Sequence, residues 1–247
     1  MIVREIRVKS ILSPSKIYSY VINPYTGCQH ACSYCYARFM KKFTGHTEPW
    51  GEFVDVKINA PELLRAEILK KKKDTVWVCG VCDPYQPLEE KYELTRACLA
   101  ILADNDWPTV IQTRSPLILR DMDILRRAPD LKAGFSVTTG DDAVRRIFEP
   151  LAPSIEERIN ALGELHRAGI RTYAMAAPML PGVEKLPELL KGKIDYLLVD
   201  RMNYDYAVRL YREHGFEREM TDGYFDLTSR RLSERCAALG IDCRIVF

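Results

Sequence analysis

Short apolar runs alternate along most of the chain with longer stretches in which apolar residues recur every three or four positions, the pattern of strands followed by amphipathic helices. The short runs predict strands at Tyr18–Ile22, Thr75–Cys79, Thr109–Thr113, Ala133–Thr138, Arg171–Ala176 and Tyr196–Asp200. The longer stretches predict helices at Pro61–Lys71, Leu88–Asn105, Leu119–Ala128, Ile155–Ala168 and Lys185–Leu190, several opened by Pro, Ser or Asp. Strand and helix in regular succession define an α/β protein built on a parallel sheet. Six such repeats are too few for a closed eight-stranded barrel and are expected to curl into an open, partial (β/α)6 TIM-like barrel, with the loops after the strands on one functional face. Pro and Gly are scattered as turn punctuation and no segment is low in complexity, so one domain is expected over residues 1–247, its core at about 18–200. The closing segment 201–247 holds a mixed helix, LTSRRLSERCAALG, and a short terminal strand, DCRIVF, and is expected to cover one side of the barrel.

Composition narrows the class without naming a partner. Of the 247 residues, 47% are hydrophobic and 28% charged, enough apolar material for a sizeable core. The 36 basic and 34 acidic residues give a net charge of +2, too small a field to imply nucleic acid or an anionic membrane by itself. The basic run Lys70–Lys73 follows a predicted helix, where cations suit the C-terminal dipole. No run of eighteen apolar residues occurs, and the N-terminus MIVREIRVKS lacks a secretory core, so a cytoplasmic location without membrane contact is expected. In such a setting eight cysteines point to metal or redox chemistry rather than disulfides.

Three of them lie within eight residues, in Asn23-Pro-Tyr-Thr-Gly-Cys28-Gln-His-Ala-Cys32-Ser-Tyr-Cys35-Tyr-Ala-Arg38, directly after a predicted strand. Three thiolates can hold three irons of a 4Fe-4S cluster and leave the fourth without a protein ligand. That open iron can be chelated by the amino and carboxylate groups of S-adenosylmethionine (SAM), which sets the sulfonium beside the cluster for one-electron cleavage to methionine and a 5'-deoxyadenosyl radical. The alternative is structural zinc, completed by His30 or a distant cysteine. His30 lies two residues from both Cys28 and Cys32, too close to complete a tetrahedron with them, and zinc knuckles usually come in pairs. His46, His166 and His214 fall in no ligand constellation.

The loop CxxxCxYC resembles that of the radical SAM superfamily, and the longer string NPYTGCQHACSYCYAR is similar to its spore photoproduct lyase-related branch. Further matches follow in order: CDPYQPLEEKYELTR at 82–96, TRSPLILRD at 113–121, GFSVTT at 134–139, FEPLAPSIEERINA at 148–161 and AAPMLPG at 176–182. The resemblance, over roughly 18–185, implies a partial barrel of the radical SAM type with Cys28, Cys32 and Cys35 as cluster ligands and Tyr34 against the adenine of SAM. It places Tyr36 where the lyase has a tyrosine of its hydrogen-atom relay. Arg114 stands where a lysine usually pairs with the methionyl carboxylate, and a guanidinium keeps that charge. Ser136 matches a serine at the same end of SAM, and Glu149 and Arg158 match a pattern near the cofactor.

The resemblance is weaker at VWVCGVCDP. Aligned on Asp83, the lyase's hydrogen-donating cysteine falls at Gly80, with Cys79 one residue before and Cys82 two after. Alternation along a strand would turn Cys79 away from the substrate and leave Cys82 as the candidate donor. A second metal site joining Cys79 and Cys82 to Cys98, Cys236 or Cys243 is the competing reading, although Cys98 and Cys236 lie in apolar patterns that suit the core. The expected activity is reductive SAM cleavage for hydrogen abstraction from a nucleic-acid base, a peptide or a small molecule, with an electron donor of the flavodoxin or ferredoxin class. Photoproduct-type DNA repair and a non-catalytic zinc or iron-sulfur protein are the alternatives.

Overall fold

A computed structural model describes all residues, 1–247. Its strands are β1 (Ile2–Ile6), β2 (Ser13–Pro14), β3 (Tyr20–Ile22), β4 (Tyr25–Thr26), β5 (Phe53–Lys57), β6 (Val76–Val78), β7 (Thr109–Thr113), β8 (Lys132–Ser136), β9 (Arg171–Ala176), β10 (Tyr196–Val199) and β11 (Asp242–Ile245). Eight form one sheet in the order β11-β10-β9-β8-β7-β6-β3-β2. Every pairing from β3 to β11 is parallel, and β2 lies antiparallel on β3. The sheet does not close, which is the open α/β barrel expected. All six predicted strands are present as β3 and β6 to β10, and β7 and β9 match end to end.

Alternation along these strands divides their side chains between two surroundings. Val76, Val78, Ile111, Ala133 and Ala174 pack into the main hydrophobic cluster with residues of the helices, such as Leu102, Ile159 and Leu162. Burying each Val or Ile there contributes roughly 1.5–3 kcal/mol. The intervening Trp77, Gln112, Ser136 and Met175 face the concave side of the sheet and line a cavity. One alternation therefore builds the core and the site together.

Elsewhere the structure corrects the expected elements. The single helix expected over Leu88–Asn105 is two, Glu89–Tyr92 and Leu94–Asp104, broken at Glu93 with φ of 50°. The break has a local cause, because the buried Glu89 carboxylate accepts the amide hydrogens of Thr95 and Arg96 and so caps the second helix. The helix expected at Leu119–Ala128 is a 3-10 turn, Pro116–Asp121, followed by one short turn, Met122–Leu125. Ile155–Arg167 is a helix as expected, started by a full capping box between Ser154 and Glu157. The terminal strand β11 extends the sheet beside β10. A second sheet, β1-β5-β4, was not foreseen, because IVREI and FVDVK are short and mix charge with apolar residues. Arg4 of β1 and Asp55 of β5 answer that charge with an ion pair at 2.7 Å.

Candidate functional site

A cavity of about 360 Å³ opens at the C-terminal ends of the parallel strands, the face where α/β sheets place their ligands. The cysteine loop forms one wall. Gly27, before the first cysteine, has φ of +93°, and a Cβ there would lie 2.3 Å from the Phe53 carbonyl oxygen, so the loop can pass β5 only as glycine. Two buried or half-buried amides then pin it. Gln86 accepts from the Gln29 amide at 3.0 Å, and Gln29 accepts from the Leu88 amide at 2.7 Å. On the other side the Ser33 amide bonds to the Phe148 carbonyl at 2.8 Å.

Cys28, Cys32 and Cys35 all line this cavity, and each is a free thiol. Burial pushes all three thiols up, Cys32 to about 12 even though the Arg114 guanidinium opposes the shift. Coordination to a metal would favour the thiolate forms that burial disfavours. No three His, Cys, Asp or Glu side chains gather about one point where a single metal ion would sit. His30 instead turns its Nε2 toward Asp83 at 3.4 Å.

Tyr34, Tyr36, Cys82, Arg114 and Ser136 lie on the same cavity wall as the cysteines. Arg114 follows β7 directly and Ser136 ends β8, so strand ends deliver both. Ser136 accepts from Gln112 Nε2 at 2.9 Å, and Gln112 accepts in turn from Tyr173 Oη at 3.1 Å. The Tyr36 hydroxyl donates to the Gly80 carbonyl, and its ring stacks on Tyr204 with centroids 6.3 Å apart. Tyr204 is half exposed, which leaves this aromatic pair at the mouth.

Glu149 and Arg158 stand behind the wall rather than on it. Neither side chain has exposed surface, and their ion pair measures 2.5 Å. Glu149 Oε1 also accepts from Arg114 Nε at 3.2 Å, from Thr138 Oγ1 at 3.1 Å and from the Tyr34 hydroxyl. Arg114 Nη2 reaches the Tyr34 oxygen at 3.1 Å. Burial alone would raise the Glu149 carboxyl, but Arg158 and Arg114 reverse the sign and hold it at about 2. Arg114 and Tyr34 are thus fixed from behind by an ionised carboxylate.

Cys79 joins Cys82 on the cavity wall, against the alternation argument. The reason is that Cys79 lies just beyond β6 with φ of 65°, so the pleat no longer sets its direction. A metal site linking this pair to the other cysteines does not form. Cys98 is buried in the main core, and Cys236 pairs with Cys243 between the last helix and β11.

Reasoning from the sequence passed over Asp83, Gln112, Met175, Asp200 and Asn203, which also line the cavity. Asp83 is the most connected of them. It accepts from Thr113 Oγ1 at 2.6 Å and from the Arg114 amide at 2.8 Å, and His30 and its hydrogen bonds outweigh burial to hold its carboxyl at about 2. Its place in CDPYQP was a signal, as was the position of Asp200 directly after a parallel strand.

The family model of the radical SAM superfamily matches residues 22–190. The chain belongs to that superfamily. An uncharacterised protein of Methanocaldococcus jannaschii is 38% identical over 179 residues, covering 72% of this chain and 67% of that protein. An uncharacterised Mycobacterium tuberculosis protein is 31% identical over 185 residues, covering 70% of this chain and only 54% of its own length. The chain therefore matches about two thirds of one curated relative and about half of the other. Among solved structures, spore photoproduct lyase complexed with dinucleoside spore photoproduct superposes with a TM-score of 0.73 at 15% identity, covering 98% of this chain and 81% of the lyase. No helix is long and apolar enough to cross a membrane.

Proposed function

We propose that this chain is a radical SAM enzyme in which Cys28, Cys32 and Cys35 hold a 4Fe-4S cluster and the adjoining cavity holds SAM. One observation carries the reading: the three loop cysteines and Arg114, Ser136, Tyr34 and Tyr36, drawn from three separate stretches of sequence, line a single cavity. The donor set suits a cluster better than zinc. A structural zinc takes four protein ligands, whereas three thiolates hold three irons of a cubane and leave the fourth open, and His30 faces Asp83 rather than the cysteines.

When bound, the cluster supplies one electron to cleave SAM to a 5'-deoxyadenosyl radical. The chain's own residues bind and orient. Arg114 offers the methionyl carboxylate a guanidinium whose direction is fixed by Glu149 and Tyr34. The Ser136 hydroxyl, accepting from Gln112, has its proton free to donate to the same end of SAM. Tyr34 and the half-buried Met175 give the adenine an apolar bed. The enclosing walls exclude water from the reactive carbon. Substrate enters past Tyr36 and Tyr204, with Cys82 placed as hydrogen donor to the product radical, and a one-electron carrier protein loads the cluster. The dinucleoside bound to spore photoproduct lyase makes a nucleobase one substrate class to try first.

The test is anaerobic reconstitution with iron and sulfide, addition of dithionite and SAM, and chromatography for 5'-deoxyadenosine beside Cys32→Ala. Product from the wild type and none from the variant is expected. A fully loaded cluster that never cleaves SAM, with or without candidate substrates, would overturn the reading.

A further inference from the structure

Cys79 and Cys82 are the two thiols of the cavity wall that the cluster does not use, and the loop carrying them is held from both sides. The Cys79 amide bonds to the Ile22 carbonyl at 2.8 Å. The Val81 amide donates to Asn23 Oδ1 at 3.1 Å, and the Tyr36 hydroxyl donates to the Gly80 carbonyl. Gly80 itself is closely packed, since a Cβ there would lie 3.0 Å from the Trp77 ring. The thiols on either side of it both line the cavity. The left-handed turn at Cys79 sets its thiol on the same cavity wall as that of Cys82, three residues on. On the far side of this loop Lys57 Nζ donates to the Asn23 carbonyl at 2.8 Å.

We propose that Cys79 and Cys82 act as one dithiol, cycling to a disulfide on the cavity wall, with Cys82 as hydrogen donor and Cys79 as its resolving partner. The proposal rests on the radical reading above for the origin of the substrate radical. The S–H bond of Cys82 breaks as a C–H bond forms on that radical, leaving a sulfur-centred radical on Cys82. Cys79 then bonds to it, losing its proton to water and one electron to a carrier protein of the flavodoxin or ferredoxin class. A small or protein dithiol reduces the resulting disulfide, restoring both thiols and becoming a disulfide itself. Two cysteines in this loop thereby remove the need for a donor at position 80.

The test is redox equilibration of the cluster-loaded protein in oxidised and reduced dithiothreitol, alkylation of the remaining thiols, and peptide mass mapping. The expected result is one peptide spanning 79–82 that is lighter by two hydrogens and carries no alkyl group, reversibly, and its loss in both Cys79→Ser and Cys82→Ser. Two thiols that stay separately alkylated at every buffer ratio, while circular dichroism shows the fold intact, would overturn the proposal. SAM cleavage is scored on the same samples. Disulfide closure without 5'-deoxyadenosine would sink the radical reading and keep the pair, and 5'-deoxyadenosine without closure would do the reverse.

Discussion

Glu149 and Glu89 are both carboxylates with no exposed side-chain surface, and each takes a hydrogen bond from a buried tyrosine and an ion pair from an arginine. They titrate in opposite directions. Glu149 faces two guanidiniums, Arg158 and Arg114, and is held at about 2. Glu89 faces one, Arg120, with its other partners neutral, and burial wins, so its carboxyl is raised. Their surroundings explain the difference in use. Glu149 stands behind Arg114 and Tyr34, which line the cavity, whereas neither Tyr25 nor Arg120 reaches it. Glu89 instead caps a helix. The same residue types make a fixed charge in one place and a structural cap in the other, depending on how many cations surround the carboxylate.

The sharpest way to break this comparison is to remove each carboxylate. Glu149→Ala strands Arg158, whose only acidic partner it is, and is expected to destabilise by roughly 3–5 kcal/mol. Glu89→Ala leaves Arg120 with Asp121 at 2.8 Å and is expected to lose about 1–3 kcal/mol, the scale of its hydrogen bonds. Urea unfolding midpoints compare the two, and equal losses would dissolve the distinction.

Removing the arginines tests function instead. Arg114→Ala is expected to weaken SAM binding by about 2 kcal/mol or more, roughly 30-fold, and Arg120→Ala to leave it unchanged. Calorimetric titration of the reconstituted protein with SAM decides between them.

The pH dependence should separate the pair more finely. Glu149, depressed from 4.5 to about 2, gives stability that is present above its ordinary value and lost as pH falls toward about 2. Glu89, raised, works in the other sense: its favourable contribution is present below 4.5 and lost as pH rises through the raised value. The stability deficit of Glu149→Gln against wild type is therefore expected to shrink below pH 4.5, while Glu89→Gln gains on wild type as pH rises above it. Parallel curves for the two variants would contradict the assignment. The smallest effect expected is from the tyrosines, with Tyr34→Phe and Tyr25→Phe each losing about 1 kcal/mol in the same urea experiment. Only Tyr34→Phe should also alter SAM affinity.

Much of this was legible in the chain. The apolar runs gave all six barrel strands because a parallel strand covered by helices must be nearly continuously hydrophobic. The cysteine spacing pointed to the loop before any fold was known. Other features resisted reading because they depend on where particular side chains fold rather than on periodicity. The break at Glu93 follows from a side chain folding back onto Thr95 and Arg96. The small sheet of β1, β4 and β5 joins segments about thirty to fifty residues apart with too little pattern in any one of them. Asp83 and Glu149 look like ordinary acids until His30, Arg114 and Arg158 converge on them.

Local pattern by itself determined the α/β class, the positions of the six main strands and the three thiols of the loop, since periodicity and short spacing need no knowledge of the rest of the chain. Only the tertiary structure decided which carboxylate supports the site, why Cys79 faces the cavity and what lies behind Arg114. Those outcomes turn on burial and on charges brought together from far along the sequence, and both exist only once the sheet has curled.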